Sequence, residues 1–166
     1  DGDRVDLSIT LASITTAQLR TNNGRVLITG ASGDVEIYTD NGSVEVSGCT
    51  GALHVETDNG SIEVTDHDGG VDLKTDNGKI TVALSDASSD PVQLLTDNGS
   101  IRLSVGPAFH GEIKVETNNG SIKTDGPADR FSNISINDGR GNVRIGEGGR
   151  KSAIKTANGS ITIQTR

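Results

Sequence analysis

Four aspartates recur at near-constant spacing: Asp40, Asp58, Asp76 and Asp97 lie 18, 18 and 21 residues apart. On neighbouring strands their carboxylates would stand about 4.8 Å apart. In water the repulsion is about 1 kcal/mol per neighbour, which a Ca²⁺ ion would relieve. A solvated acidic edge that discourages sheet pairing explains the same column without a metal. The calcium-binding nonapeptide repeat needs Gly-Gly-x-Gly-x-Asp, and the chain does not contain it. Asp66-His67-Asp68 brings metal-ligand residue types into one loop. One short loop seldom completes a coordination shell, so the plain expectation is an exposed polar loop.

A second set shares the same spacing. Glu36, His54 and Asp72 are 18 residues apart, with Gln93 a further 21 on. Such a column imitates the carboxylate faces of enzymes that act on acidic polysaccharides. A nucleophile dyad needs a Ser or Cys within hydrogen-bond reach of a base, and no nucleophile motif accompanies His54. The lone Cys49 can form no internal disulfide and belongs to no zinc spacing. The residues therefore point away from an enzyme and to no cofactor other than Ca²⁺.

Composition narrows the partners. The chain of 166 residues is the size of one domain, expected here to span 1–166. Its net charge is −8, and only 2% of its residues are aromatic. Nucleic-acid binding needs a basic footprint or a stacking platform, and neither is present. No apolar run reaches the length of a membrane span. No signal peptide is visible, and with no Met at all the chain reads as a mature or trimmed product. Hydrophobic residues make up only 31%, but they are regularly placed, which argues against disorder.

The elements that must position these residues come from a repeat. Thr21-Asn22-Asn23-Gly24 recurs at Thr39-Asp40-Asn41-Gly42, Thr57-Asp58-Asn59-Gly60, Thr75-Asp76-Asn77-Gly78 and Thr96-Asp97-Asn98-Gly99. It continues at Thr117-Asn118-Asn119-Gly120 and Thr156-Ala157-Asn158-Gly159, with a degenerate copy at Asp138-Gly139-Arg140-Gly141. Two residues after the glycine stands an aliphatic: Val26, Val44, Ile62, Ile80, Ile101, Ile122, Val143 and Ile161, spaced 18, 18, 18, 21, 21, 21 and 18. The three-residue additions fall in one connection, the one that holds Pro91, Pro107 or Pro127. On both sides of the turn, apolar and polar residues alternate strictly, as half-buried strands do.

Asn-Gly between alternating hydrophobics also signals a hairpin, so an antiparallel meander is the rival fold. That pairing would set Glu56 against Glu63, like charges directly opposite. Successive turns of a meander sit two strands apart and would not touch, so nothing would demand the same Thr and Asn each time. Stacked coils put equivalent residues about 4.8 Å apart. Asn41, Asn59, Asn77, Asn98, Asn119 and Asn158 can then hydrogen-bond along the stack, and Thr39, Thr57, Thr75, Thr96 and Thr117 likewise at the corner. Glycine supplies the positive φ of the bend. The expected fold is a single right-handed parallel β-solenoid of about eight 18–21-residue coils, its hand taken from the crossover rule. The left-handed hexapeptide helix fails, because steps of six from Val44 meet Thr50 and Glu56.

The unit Thr-Asp-Asn-Gly-Ser-Ile-Glu-Val resembles a bacterial adhesin-like family of β-strand-repeat proteins of unknown function, over about residues 5–166. The resemblance implies a right-handed β-helix-like fold and an extracytoplasmic, cell-envelope or secreted location. It carries no catalytic residues.

Charge is uneven along the chain. Residues 1–83 hold 14 acidic and 5 basic side chains, and residues 84–166 hold 9 and 10. Coils stacked in order would make a rod acidic at its start and basic at its end. The chain opens on alternating Val5, Leu7, Ile9 and Leu11 and closes on Ile161-Thr162-Ile163, with no polar cap at either end. Unlike ends that meet head to tail give filaments. The functional expectation is a non-enzymatic surface or glycan-binding protein, or one that binds a surface protein. The alternative is a subunit that self-associates end to end into an extracellular fibre.

Overall fold

The computed structural model describes residues 6–10, 13 and 16–166. Val5 and Leu11 of the opening apolar run lie outside them. Among the described residues there are seventeen strands: β1 Leu7–Thr10, β2 Thr16–Asn23, β3 Val26–Thr29, β4 Asp34–Asn41, β5 Val44–Ser47, β6 Leu53–Asn59, β7 Ile62–His67, β8 Val71–Asn77 and β9 Ile80–Leu84. The rest are β10 Val92–Asn98, β11 Ile101–Val105, β12 Gly111–Asn119, β13 Ile122–Asp125, β14 Phe131–Asn137, β15 Arg140–Ile145, β16 Arg150–Asn158 and β17 Ile161–Thr165. The Asn-Gly corner ends one strand of each repeat, and the aliphatic two residues later opens the next.

From β1 to β14 successive strands go to different sheets, which rules out the hairpin meander for the repeats. Sheet I runs β1-β3-β5-β7-β9-β11-β17-β13. Sheet II runs β2-β4-β6-β8-β10-β16-β12-β15-β14. Every pairing is parallel except β12 with β15 and β15 with β14. The protein is thus nearly all β, built of parallel sheets that share one buried aliphatic cluster. Inward residues such as Ile37, Val55 and Leu73 of sheet II and Val44, Ile62 and Ile80 of sheet I are at most 1% exposed.

The corner is held by side chains as well as backbone. Asn59 Nδ2 donates to Asn41 Oδ1 at 3.0 Å and Asn77 Nδ2 to Asn59 Oδ1 at 2.9 Å. The series continues through Asn98 to Asn77, Asn158 to Asn98 and Asn119 to Asn158, at 2.8–2.9 Å. The threonines are buried but do not bond one another. Thr75 Oγ1 donates to Gly60 O at 3.0 Å, and Thr96, Thr156 and Thr117 make the equivalent bond to Gly78, Gly99 and Gly159.

Gly24 has the positive φ that its turn suggested, at 134°, but the later corner glycines have a different reason. Gly60 is not in a positive-φ conformation, but a Cβ there would stand 1.9 Å from Gly42 O. It is needed for close stacking on the coil before it.

Two departures follow from the strand order. The degenerate copy is not an eighth repeat. Asp138 and Gly139, with φ of 46° and 75°, form the turn of an antiparallel hairpin between β14 and β15. Asp-Gly with both residues at positive φ is the type I′ hairpin geometry. Val143 therefore lies in sheet II opposite Ile113, not in the column of Ile122 and Ile161.

The last repeat is also out of order. β16 sits between β10 and β12, and β17 between β11 and β13. The basic C-terminal repeat is thus inside the stack, and Ile161-Thr162-Ile163 is no open end. At this end of the stack the edge strand of sheet II is instead β14, where Ile134 and Ile136 are 46% and 37% exposed.

Candidate functional site

The outward side of sheet II carries the richest chemistry. Strand alternation sends Glu36, His54, Asp72 and Gln93 to solvent from β4, β6, β8 and β10, and the register aligns them in one column. The column continues through Ala153 of β16 to Lys114 of β12. The neighbouring column, toward the strand starts, is Asp34, Ala52, Gly70, Pro91 and Lys151. The small members of both columns leave a groove of about 670 Å³ across the strands. It is acidic at the Asp34–Glu36 end and basic at the Lys114–Lys151 end.

Within the groove His54 Nδ1 is 3.3 Å from Asp72 Oδ2, both side chains being partly exposed. The His54 ring packs on Tyr38, with centroids 5.6 Å apart, and the Arg20 guanidinium lies over the Tyr38 ring, 4.9 Å from its centroid. Gln18 Nε2 donates to Glu36 Oε2 at 2.8 Å. These contacts hold the acidic end in place. One column further along, Lys74 donates to Glu56. That bond keeps the Glu56 carboxyl below the usual carboxylate range and raises the Lys74 ammonium. Ser152, the hydroxyl beside Ala153, is buried and accepts the Val92 N–H.

The structure separates the other sequence candidates. Asp40, Asp58, Asp76 and Asp97 occupy one exposed column on consecutive strands. Among the described residues no three His, Cys, Asp or Glu side chains converge as an ion's ligands. The column ends where Ala157 follows Asp97 across β10 and β16.

His67 is not in an exposed loop. It is 1% exposed at the end of β7, opposite Leu84, after an irregularity in register at Thr65. Its Nε2 lies 3.1 Å from Gly51 O. Burial holds its imidazole below the ordinary histidine range, partly opposed by the Gly51 carbonyl and Asp68. Cys49 is buried and free. Lys114 and Lys151 were not among the sequence candidates. Chain order places Lys151 far from Pro91, and the inserted β16 brings it beside that residue. The run of bases in 148–166 was the available signal.

No helix in the described residues is long and apolar enough to cross a membrane. Neither a curated protein nor a solved structure matches the chain. A family profile, that of Toastrack DUF4097, matches residues 1–144. The fold of short parallel strands and the profile agree, and the chain belongs to the Toastrack DUF4097 family of unknown function.

Proposed function

We propose that the chain is a non-enzymatic binding scaffold of the cell envelope or its exterior, adhesin-like in that it presents a side-chain column to a surface glycan. The two sheets are read as one right-handed β-solenoid that holds the column rigid. The groove along sheet II carries this reading. Its polar groups recur at the strand spacing of about 4.8 Å, close to the spacing of hydroxyls and charges along an extended sugar chain. A floor of Ala52, Gly70, Pro91 and Ala153 leaves room for sugar rings between them.

The groove offers carboxylates, an imidazole, an amide and two ammoniums, but no activated nucleophile. The His54 nitrogen faces Asp72, and the Ser152 hydroxyl is taken up by backbone. The extracytoplasmic placement rests on the resemblance to adhesin-like repeat proteins.

A glycan array tests the reading, with the unmodified chain compared with Ala153→Trp. Ala153 is exposed on the groove floor, so an indole there fills the groove without entering the core. Binding by the unmodified chain and its loss in the variant, at unchanged melting temperature, is the expected result. Equal signals from both chains would remove the groove as the site. A second reading, the end-to-end fibre, is favoured by the free β14 edge with its two half-exposed isoleucines. Negative-stain microscopy at high concentration separates the two: filaments that Ile134→Lys and Ile136→Lys abolish would favour the fibre.

A further inference from the structure

The C-terminal repeat is held in a slot by contacts particular to it. The walls of the slot, β10 with β11 and β12 with β13, are themselves copies of the motif in the same register. Arg150 Nη1 lies 2.8 Å from Asp90 Oδ1, Arg166 Nη2 3.0 Å from Asp86 Oδ1, and Lys155 Nζ 3.7 Å from Glu116 Oε1. Residues 148–166 contain no acid, while the slot supplies Asp86, Asp90 and Glu116. Ala157 also avoids adding a carboxylate beside Asp97. Charge therefore fits this copy of the motif to the slot better than the acidic copies.

The tether is equally particular. Ile145 of β15 and Arg150 of β16 both pair with Gly111, from opposite sides of β12. The linker must therefore arch over β12, across two strand spacings, or about 10 Å. It is Gly146-Glu147-Gly148-Gly149, with φ of 62°, 72° and 81° at its three glycines, and Gly148 faces open space. The family match ends at residue 144, before this repeat.

We infer that residues 150–166 are an exchangeable donor repeat, able to leave their own slot and fill the same slot of a second copy of this chain. A reciprocal exchange preserves every slot contact named above, because each forms as well between chains as within one. Only the four linker residues change course, which is why such swaps are a low-cost route to dimers. In the exchanged dimer Lys151 and Ala153 of each groove come from the other copy. The inference concerns assembly and does not depend on what the groove binds.

Two single-cysteine chains test it, Gln93→Cys and Ala153→Cys, each also carrying Cys49→Ala. The two positions face each other across β10 and β16, a Cα separation near 5 Å that a disulfide spans. The chains are unfolded together, refolded at high concentration and oxidised. The expected product is a mixed dimer, about tenfold more abundant than from a Gln18→Cys and Ala153→Cys mixture, whose positions are too far apart to bridge.

A second variant deletes Gly148 and Gly149. Three virtual bonds then remain, about 10–11 Å at full extension, too short to arch over Gly111. It should elute as a dimer at concentrations where the unmodified chain is monomeric. A mixed dimer no more abundant than the control, or a folded monomeric deletion variant, overturns the inference. If the deletion variant does not fold, the cross-linking result decides alone.

Discussion

Residues 16–105 and residues 111–166 use one motif and stack it by different rules. In the first region, β2 to β11, order in space is order in the chain. In the second, β12 lies two places from β10, a hairpin follows it, and the last repeat returns to fill the gap. Yet the corner bonds are alike in both: Asn77 to Asn59 and Asn119 to Asn158 are each 2.9 Å. The motif determines how a strand stacks, but any copy satisfies any other. Order must then be decided by what differs between copies. Here that is the ion pairs of Arg150 and Arg166, the hairpin, and Arg130, whose guanidinium donates to the carbonyls of Gly106, Pro107 and Phe109 in the β11–β12 connection.

The two regions should differ most in their response to a side chain at the stacked glycine. Gly60→Ala places a Cβ 1.9 Å from Gly42 O, and Gly159→Ala places one 2.0 Å from Gly99 O. Each should cost about 3 kcal/mol, because the obstacle is backbone and cannot turn aside. The consequences should differ. Gly60→Ala strains the middle of the ordered region and lowers the whole denaturation midpoint. Gly159→Ala should release the C-terminal repeat first, giving two transitions in a urea melt. A single shared transition in both variants would mean that the two regions unfold as one unit.

Thr75→Val and Thr39→Val separate the bond from the burial. Valine keeps the shape of threonine and removes the hydroxyl. Thr75 Oγ1 donates to Gly60 O, whereas Thr39 Oγ1 is buried with no partner among the described atoms. Thr75→Val should cost about 1 kcal/mol for a partly buried carbonyl that loses its donor, and Thr39→Val should be neutral or slightly stabilising. Equal effects at the two sites would show that the bond to Gly60 adds nothing to stability. Asn59→Asp should cost about 1 kcal/mol. It keeps the acceptor for Asn77 but can no longer donate to Asn41. Protonating the new carboxyl at low pH should recover part of the loss.

What the sequence discloses follows the same division. Alternation and the unvarying Asn-Gly corner disclose strands, parallel stacking and an inward aliphatic column, because these depend on properties that every copy shares. Repeat order is invisible, since the ladder fits any neighbour. The hairpin was readable in Asp138-Gly139, but Val143 kept the spacing of a further repeat and concealed it. The acidic end of the groove, Glu36, His54, Asp72 and Gln93, was legible from spacing alone. The basic end was not, because Lys151 reaches it only through the inserted strand. His67 was concealed by its acidic neighbours and by the register shift at Thr65, which breaks the parity that alternation relies on.

That shift also gives the ordered region a weak point of its own, with the smallest of these effects. His67 occupies a core position opposite Leu84, and burial lowers its proton affinity in the folded state. The unfolded chain regains the ordinary histidine value of about 6.5. Between that value and the lower folded one, the unfolded chain binds more protons than the folded chain, so stability rises with pH there. Stability from this group is complete above about pH 6.5 and declines as pH falls through the interval. Urea midpoints from pH 7.5 to 5 should therefore decrease toward acid. His67→Leu, which matches the residue across from it, should flatten that profile while leaving stability at pH 7.5 little changed. Hydrogen exchange adds the location: mild acid should loosen the end of β7 and its partner in β9 before it affects β16. If the C-terminal repeat exchanges first at pH 5, the acid-sensitive element lies in the second region, and the ordered region is the more uniform of the two.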